Sequence, residues 1–310
     1  MSNKRTLDSF FTPSSKKQKK EEPTGDEKIS HSTHVEYPFS IPELPPSIAK
    51  ELPSWPALPG KEINDQPDLD LLYFEPFVPS YVAKDLFKFL RSQLPFYRVE
   101  YKIKRGDVET QIRTPRYTTV FGLDDTSVFS PNGKPVDAKS QKEVPNAYSR
   151  YKPRPIPQCL DALRLSTEAA TGCKFNFCLV NYYSSGTDSI SFHSDDERFL
   201  GPEPTIASFS LGAKRDFLMK HKPGVEAKQL KLPLASGDMI LMRRRTQSNW
   251  LHSIPKRTGK NVVDDGGRIN ITFRRAMVKG GTDNYYNYNV GTGPVFKWDE
   301  VAREMKVWKP

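Results

Sequence analysis

At 310 residues and 36% hydrophobic content, the chain is long enough to bury a full core but too polar to be folded throughout. Its three cysteines, Cys159, Cys173 and Cys178, lack zinc spacing and argue against a disulfide framework, while no apolar run reaches a membrane span and no signal-peptide core opens the sequence. The net charge of +10 points to nucleic acid as partner.

Residues 1–66 are expected to form an unfolded tether. The first twenty carry Lys4, Arg5, Lys16, Lys17, Lys19 and Lys20 against only Asp8, and residues 38–67 hold eight prolines, which favour extended chain. The Lys16–Lys20 cluster has the form of a nuclear localisation signal. Leu7, Phe10 and Phe11 share one side of a single helical turn. Together they resemble the peptide that docks into the sliding clamp PCNA, although Lys4 stands where that motif usually has Gln.

The folded part is expected to begin near Leu69. Val82, Leu86, Phe89 and Leu90 form the stripe of a helix over 79–94, stopped by Pro95. A hairpin follows, with arms 97–103 and 108–114 around Arg105-Gly106-Asp107. A second helix covers 157–171 and is capped by Gly172. Strands are expected at 174–183, 188–193, 205–211, 215–220, 239–243 and 268–275. Two helices before a run of strands predict an α+β, mainly β domain of packed antiparallel sheets. The aromatics of 279–310, among them Tyr285, Tyr286, Tyr288, Phe296, Trp298 and Trp308, are too many for a free tail and are expected to pack on the domain.

His193-Ser194-Asp195, followed far downstream by His252, carries the chemistry. Two imidazoles and one carboxylate occupy one face of a mononuclear iron and leave the other open to co-substrate and oxygen. Residues two apart on a strand share a face, so His193 and Asp195 can reach one ion. By the same rule Arg268, Asn270, Thr272 and Arg274 share a polar face opposite Ile269, Ile271 and Phe273. If that face lines a barrel interior, its two arginines require anionic partners, and a dicarboxylate would satisfy both. Asn181 and Tyr183 share one face of the strand before His193, adding a donor amide and a phenol at one end.

The stretch Asn181 to Glu197, the segment Ile206 to Gly212 and the strand Arg268 to Arg274 resemble the AlkB family of Fe(II)- and 2-oxoglutarate-dependent dioxygenases. The likeness is greatest to its eukaryotic branch that repairs alkylated DNA bases. This resemblance implies a double-stranded β-helix (jelly-roll) core with flanking helices, an N-terminal nucleotide-lid region, and a dioxygenase domain over 67–278. It implies that His193, Asp195 and His252 hold Fe(II). Asn181, Tyr183, Arg268, Asn270 and Arg274 would hold 2-oxoglutarate, Arg268 at its distal carboxylate and Arg274 beside Asp195. Oxidation with O2 of a methyl group on 1-methyladenine or 3-methylcytosine in DNA would then release formaldehyde, succinate and CO2.

The base must leave the duplex to react. Glu197 takes the family position that reads the exocyclic amine, with Asp196 beside it. Arg116, Phe121 and Tyr148 match lid positions bordering the flipped base. Phosphate contacts are expected from Lys102, Lys104, Arg105, Lys152, Arg154 and Arg243-Arg244-Arg245. The resulting expectation is a nuclear, monomeric enzyme acting on single- or double-stranded DNA and tethered to PCNA. Its rivals are an RNA demethylase with the same site, and a non-catalytic nucleic-acid or clamp-binding protein on a dioxygenase scaffold.

Overall fold

Alternating apolar and polar residues build two sheets that face one another in a computed structural model describing residues 30–144, 148, 151–257 and 266–310. The Lys16–Lys20 cluster, the Leu7, Phe10 and Phe11 peptide, Ser149 and Arg150 lie outside the described residues. Among the described residues the larger sheet has ten strands. Its centre runs Tyr117–Gly122, Phe177–Tyr183, Arg268–Arg274, Ile206–Gly212 and Met239–Met242, all antiparallel. The smaller sheet has four strands, in the order Ile190–His193, Trp250–Ile254, Arg215–His221 and Leu230–Leu234. Leu179, Ile206, Phe217, Met219, Met242 and Trp250 are buried in one apolar cluster that joins the two sheets. This is the double-stranded β-helix.

The outer face of the large sheet is closed by helices. Helix Ser80–Gln93 buries Val82, Leu86 and Leu90 at four-residue spacing, with Ala83 and Phe87 alongside. Helix Gln158–Thr171 buries Cys159, Leu160 and Leu163 and ends at Gly172, whose φ of 69° is the left-handed turn expected of a glycine cap. These side chains share a core with Ile269, Ile271 and Phe273. The apolar half of the Arg268–Arg274 strand thus faces helices while its polar half faces the space between the sheets. Gly267 starts that strand at φ 85°, where a Cβ would lie 2.4 Å from the Tyr183 carbonyl oxygen, so glycine is required.

The expected tether is corrected from residue 30 onward. His31–Ser32 pairs with Ile41–Pro42, and Lys61–Ile63 adds an edge strand to the large sheet. Tyr37, Ile41, Leu44, Ile48, Leu52 and Trp55 are buried against the two helices. The prolines dominate composition, but apolar residues spaced between them supply the burial that orders the segment. Its backbone finds partners in helix side chains: Gln158 accepts from Leu44 N–H at 3.1 Å and Ser166 donates to Leu52 C=O at 2.8 Å.

At the other end, Asp283–Asn289 is a helix, and Val295–Asp299 pairs with both Phe96–Tyr97 and Glu304–Val307. Tyr286, Phe296, Trp298 and Met305 are buried. No helix among the described residues is long and apolar enough to cross a membrane.

Candidate active site

Strand register assembles the site. His193 and His252 are direct cross-strand partners in the small sheet, their ring centroids 4.3 Å apart. Asp195 follows the strand end, held by a 3.1 Å hydrogen bond from its N–H to the buried Gln247 side chain. The His193 and His252 Nε2 atoms lie 3.8 and 3.7 Å from the two Asp195 carboxylate oxygens. His193 donates its Nδ1–H to the Ser191 carbonyl at 2.8 Å, because that oxygen can only accept, and this turns the Nε2 lone pair toward Asp195. Burial pushes the His252 pKa down to about 3, so the imidazole is neutral and able to ligate.

On the large sheet, pairing sets Asn181 opposite Asn270 and Tyr183 opposite Arg268, while Ser208 and Ser210 flank Thr272 and Asn270 from the next strand. Apart from Ser210, these residues line one cavity together with the metal-binding triad, about 400 Å³ in volume and within the range of small-molecule sites. Arg274 reaches Asp195 Oδ2 at 2.9 Å, and both side chains are buried. Burial alone would raise the Asp195 pKa, but Arg274 and the two histidines hold it below the ordinary carboxylate value. Burial likewise opposes the charge on Arg274, yet Asp195, Tyr285 and Glu197 carry its pKa above normal.

Arg268 differs. It is 1% exposed, and burial pushes its pKa down to about 10, which still leaves it charged at neutral pH. Its Nη2 donates to Ser210 Oγ at 2.8 Å, whereas Nε and Nη1 have no hydrogen-bond partner among the described residues. A buried cation with two free donors fits a carboxylate.

The remaining expected site residues divide sharply. Arg116 lines the cavity and donates to Asn181 Oδ1 at 3.0 Å, leaving the Asn181 amide N–H groups toward the cavity. Asn270 also lines it, but its amide nitrogen donates to Ser208 Oγ and to Phe209 C=O, so it braces the adjacent strand. Glu197 lines the cavity with Oε2 buried and without a partner among the described residues, and burial, reinforced by Asp195, raises its pKa despite Arg274.

Asp196 faces outward instead, paired with Lys222 at 2.7 Å. Phe121 is fully buried in the helix-side core, because it lies an odd number of residues from Arg116 on an extended chain and so points the other way. Tyr148 is buried in a separate small cluster with Leu123 and Val144, its hydroxyl on Asp124. Three of the five residues expected at the base, Asp196, Phe121 and Tyr148, are therefore corrected.

Of the expected phosphate contacts, Arg154 is withdrawn, buried on Tyr97 and Val120. Arg243 and Arg244 pair with Asp70 and Arg245 pairs with Asp68, while the Arg244 and Arg245 side chains stay exposed. Sequence reasoning missed Gln247, Ser208, Ser210 and Tyr285. Ser208 and Ser210 had a signal, two hydroxyls at alternate positions of an apolar strand. Tyr285 had none beyond its aromaticity.

The sequence profile of the 2OG-Fe(II) oxygenase superfamily matches residues 70–274. An Arabidopsis thaliana protein named DNA oxidative demethylase ALKBH2 is 30% identical over 252 residues, covering 74% of this chain and 74% of that protein. The human protein of that name is 40% identical over 132 residues, covering 41% of this chain and 49% of its own length. The rat alpha-ketoglutarate-dependent dioxygenase alkB homolog 3 is 39% identical over 142 residues, covering 43% and 47%. The match thus spans about half of each of these two mammalian relatives.

The chain belongs to the 2OG-Fe(II) oxygenase superfamily and, within it, to the AlkB family. It is a dioxygenase that uses Fe(II), 2-oxoglutarate and O2. Its residues fit both groups. The triad's ligand atoms lie within 4.8 Å of one another, a spacing one ion can bridge, and the free donors of Arg268 suit a carboxylate.

Proposed function

We propose that this enzyme is an oxidative DNA demethylase that reverses alkylation damage such as 1-methyladenine and 3-methylcytosine, releasing formaldehyde, succinate and CO2. The observation that carries the reading is Glu197. Its Oε2 is a buried acceptor without a partner among the described residues, on a side chain that lines the same cavity as the metal-binding triad. An unsatisfied buried acceptor is costly, so the site calls for an N–H donor. The exocyclic amine of a methylated adenine or cytosine supplies one beside the methylated nitrogen.

Bound together, Fe(II) and 2-oxoglutarate supply an oxidant for a C–H bond, with succinate and CO2 as the co-substrate's products. The protein's share is placement. His193, Asp195 and His252 would hold the metal. Arg268 would take the distal carboxylate, with the Tyr183 ring 5.4 Å from its guanidinium and Ser210 aiming it. Asn181 would donate to the co-substrate from the side. Arg274 keeps Asp195 ionised and oriented. Leu179, Phe217 and Ile254 would give the reacting centre apolar walls. Hydroxylation of an N-methyl group gives an unstable hemiaminal, which loses formaldehyde and restores the base.

The names of the relatives support a DNA substrate, and the +10 charge agrees with it. Nuclear action and clamp docking through Leu7, Phe10 and Phe11 rest on the sequence of residues 1–29 alone. The test is formaldehyde and succinate release on single- and double-stranded oligonucleotides carrying either lesion. Turnover is expected on both lesions and should vanish in His193→Ala. Turnover confined to methylated RNA would replace the DNA reading.

A further inference from the structure

The helix Asp283–Asn289 lies beyond the matched family region, 70–274, yet Tyr285, Tyr288 and Asn289 line the active cavity. Tyr285 is the residue that reaches deepest into the chemistry. Its hydroxyl donates to Glu197 Oε1 at 2.9 Å and accepts from Arg274 Nη1. Arg274 is in turn fixed by Asp195. With the Arg274 N–H directed at its oxygen, the single phenolic hydrogen goes to Glu197.

The ring cannot easily give way. Phe177 and Phe199 meet it edge-on, with centroids 5.6 and 5.4 Å away, and the Arg274 guanidinium lies 5.0 Å from its centroid. One oxygen of Glu197 is thereby held, and the other, Oε2, is buried without a hydrogen-bond partner among the described residues, on a side chain that lines the cavity. A carboxylate gripped by one oxygen has its plane defined, so the bare oxygen has a fixed direction.

We propose that Tyr285 is a positioning residue that sets base selectivity by aiming Glu197 Oε2 at an amine donor. It would favour bases with an amine beside the methylated nitrogen over bases with a carbonyl there. A carbonyl facing a fixed acceptor repels it, whereas a free carboxylate could swing aside. This inference rests on the demethylase reading.

The test compares 3-methylcytosine with 3-methylthymine, which present an amine and a carbonyl at the same ring position, in otherwise identical single-stranded oligonucleotides. Wild type, Tyr285→Phe, Glu197→Gln and the double variant are compared by kcat/KM. The same lesions are compared by Kd with the Mn(II)- and 2-oxoglutarate-loaded proteins, where no turnover is needed. Phe keeps the ring between Phe177 and Phe199 and removes only the hydroxyl.

Losing a hydrogen bond to a charged group is worth about ten- to a hundredfold, so the preference for 3-methylcytosine should fall by about that factor in Tyr285→Phe. In the Glu197→Gln background the same change should move it by less than about threefold, because coupled residues are not additive. Equal losses on both lesions carried by a raised KM for 2-oxoglutarate would place Tyr285 in the service of Arg274 and overturn the proposal. So would additive effects in the double variant. A wild-type enzyme inactive on both lesions would instead remove the demethylase reading on which the proposal stands.

Discussion

Arg268 and Arg274 stand on the same face of the same strand, both almost wholly buried, yet they live in opposite circumstances. Arg274 meets Asp195 and Tyr285 within the protein. Arg268 has a serine hydroxyl and two donors without partners among the described residues. A charge that is compensated within the fold belongs to the architecture. A charge left uncompensated at similar depth is maintained for a ligand, because burial without a partner otherwise only destabilises. One end of the cavity is thus finished by the chain, and the other is finished by the co-substrate.

The largest effect should come from breaking the finished end. Arg274→Met leaves Asp195 buried and uncompensated, and loss of one partner of a buried pair costs about 3–5 kcal/mol. Urea unfolding of the metal-free protein should show that loss. Arg268→Met should instead be neutral or stabilising in the same assay, since it removes an uncompensated charge. Equal losses from the two variants would abolish the distinction between the ends.

The second effect belongs to the unfinished end. Truncating one member of a buried charge pair costs about 2–5 kcal/mol of binding, so 2-oxoglutarate affinity of the Mn(II)-loaded Arg268→Met protein should fall by at least about thirtyfold. Titration calorimetry reads this directly. Arg268→Lys should recover little, because an ammonium cannot offer the paired donors of a guanidinium. Wild-type affinity in Arg268→Met would mean that the co-substrate carboxylate is bound elsewhere.

Acid should act at the metal end alone. His252 has a folded pKa of about 3 against an ordinary value near 6.5, so below pH 6.5 the unfolded chain takes up a proton that the folded chain refuses. Its contribution to stability is present above pH 6.5 and is lost as pH falls from there toward 3. Asp195, with a lowered pKa, adds its loss only further down, below the ordinary carboxylate value. Between pH 6.5 and 5.5 the metal-free protein should therefore lose about 1 kcal/mol through His252, and His252→Asn should remove that part of the slope. An identical slope in the variant would contradict the assignment.

Much of this contrast was legible in the sequence, and the physical reason is the period of two in a strand. Arg268, Asn270, Thr272 and Arg274 had to share a face, as had His193 with Asp195 and Asn181 with Tyr183. The same parity argues against Phe121 as a partner of Arg116, and it yields to tertiary pairing nowhere along Tyr117–Gly122. What the sequence did not reveal was compensation between distant segments. Arg243, Arg244 and Arg245 appear as a bare basic cluster until Asp68 and Asp70, far upstream, fold against them. The segment from residue 30 to 66 has the composition of a tether, and only surfaces built by later parts of the chain, two helices and the large sheet among them, give its apolar residues a place to be buried. Tyr285 had to wait for a helix whose docking no local pattern announces.

The smallest effect tests how the unfinished end is held ready. Ser210 Oγ accepts from Arg268 Nη2 at 2.8 Å, and it is nearly inaccessible. Removing it in Ser210→Ala leaves the charge in place and loosens its direction. The free guanidinium gains orientations, and the co-substrate must then bear the cost of fixing one. That cost is on the order of 1 kcal/mol, so 2-oxoglutarate affinity should weaken by about fivefold while remaining well above that of Arg268→Met. Metal binding, measured separately with Mn(II), should not follow, because Ser210 lies beside Asn270 in the register and away from the Asp195 end of the strand. A loss as deep as that of Arg268→Met would make Ser210 a ligand in its own right, and a parallel loss of metal would show that the two ends are mechanically joined rather than separately built.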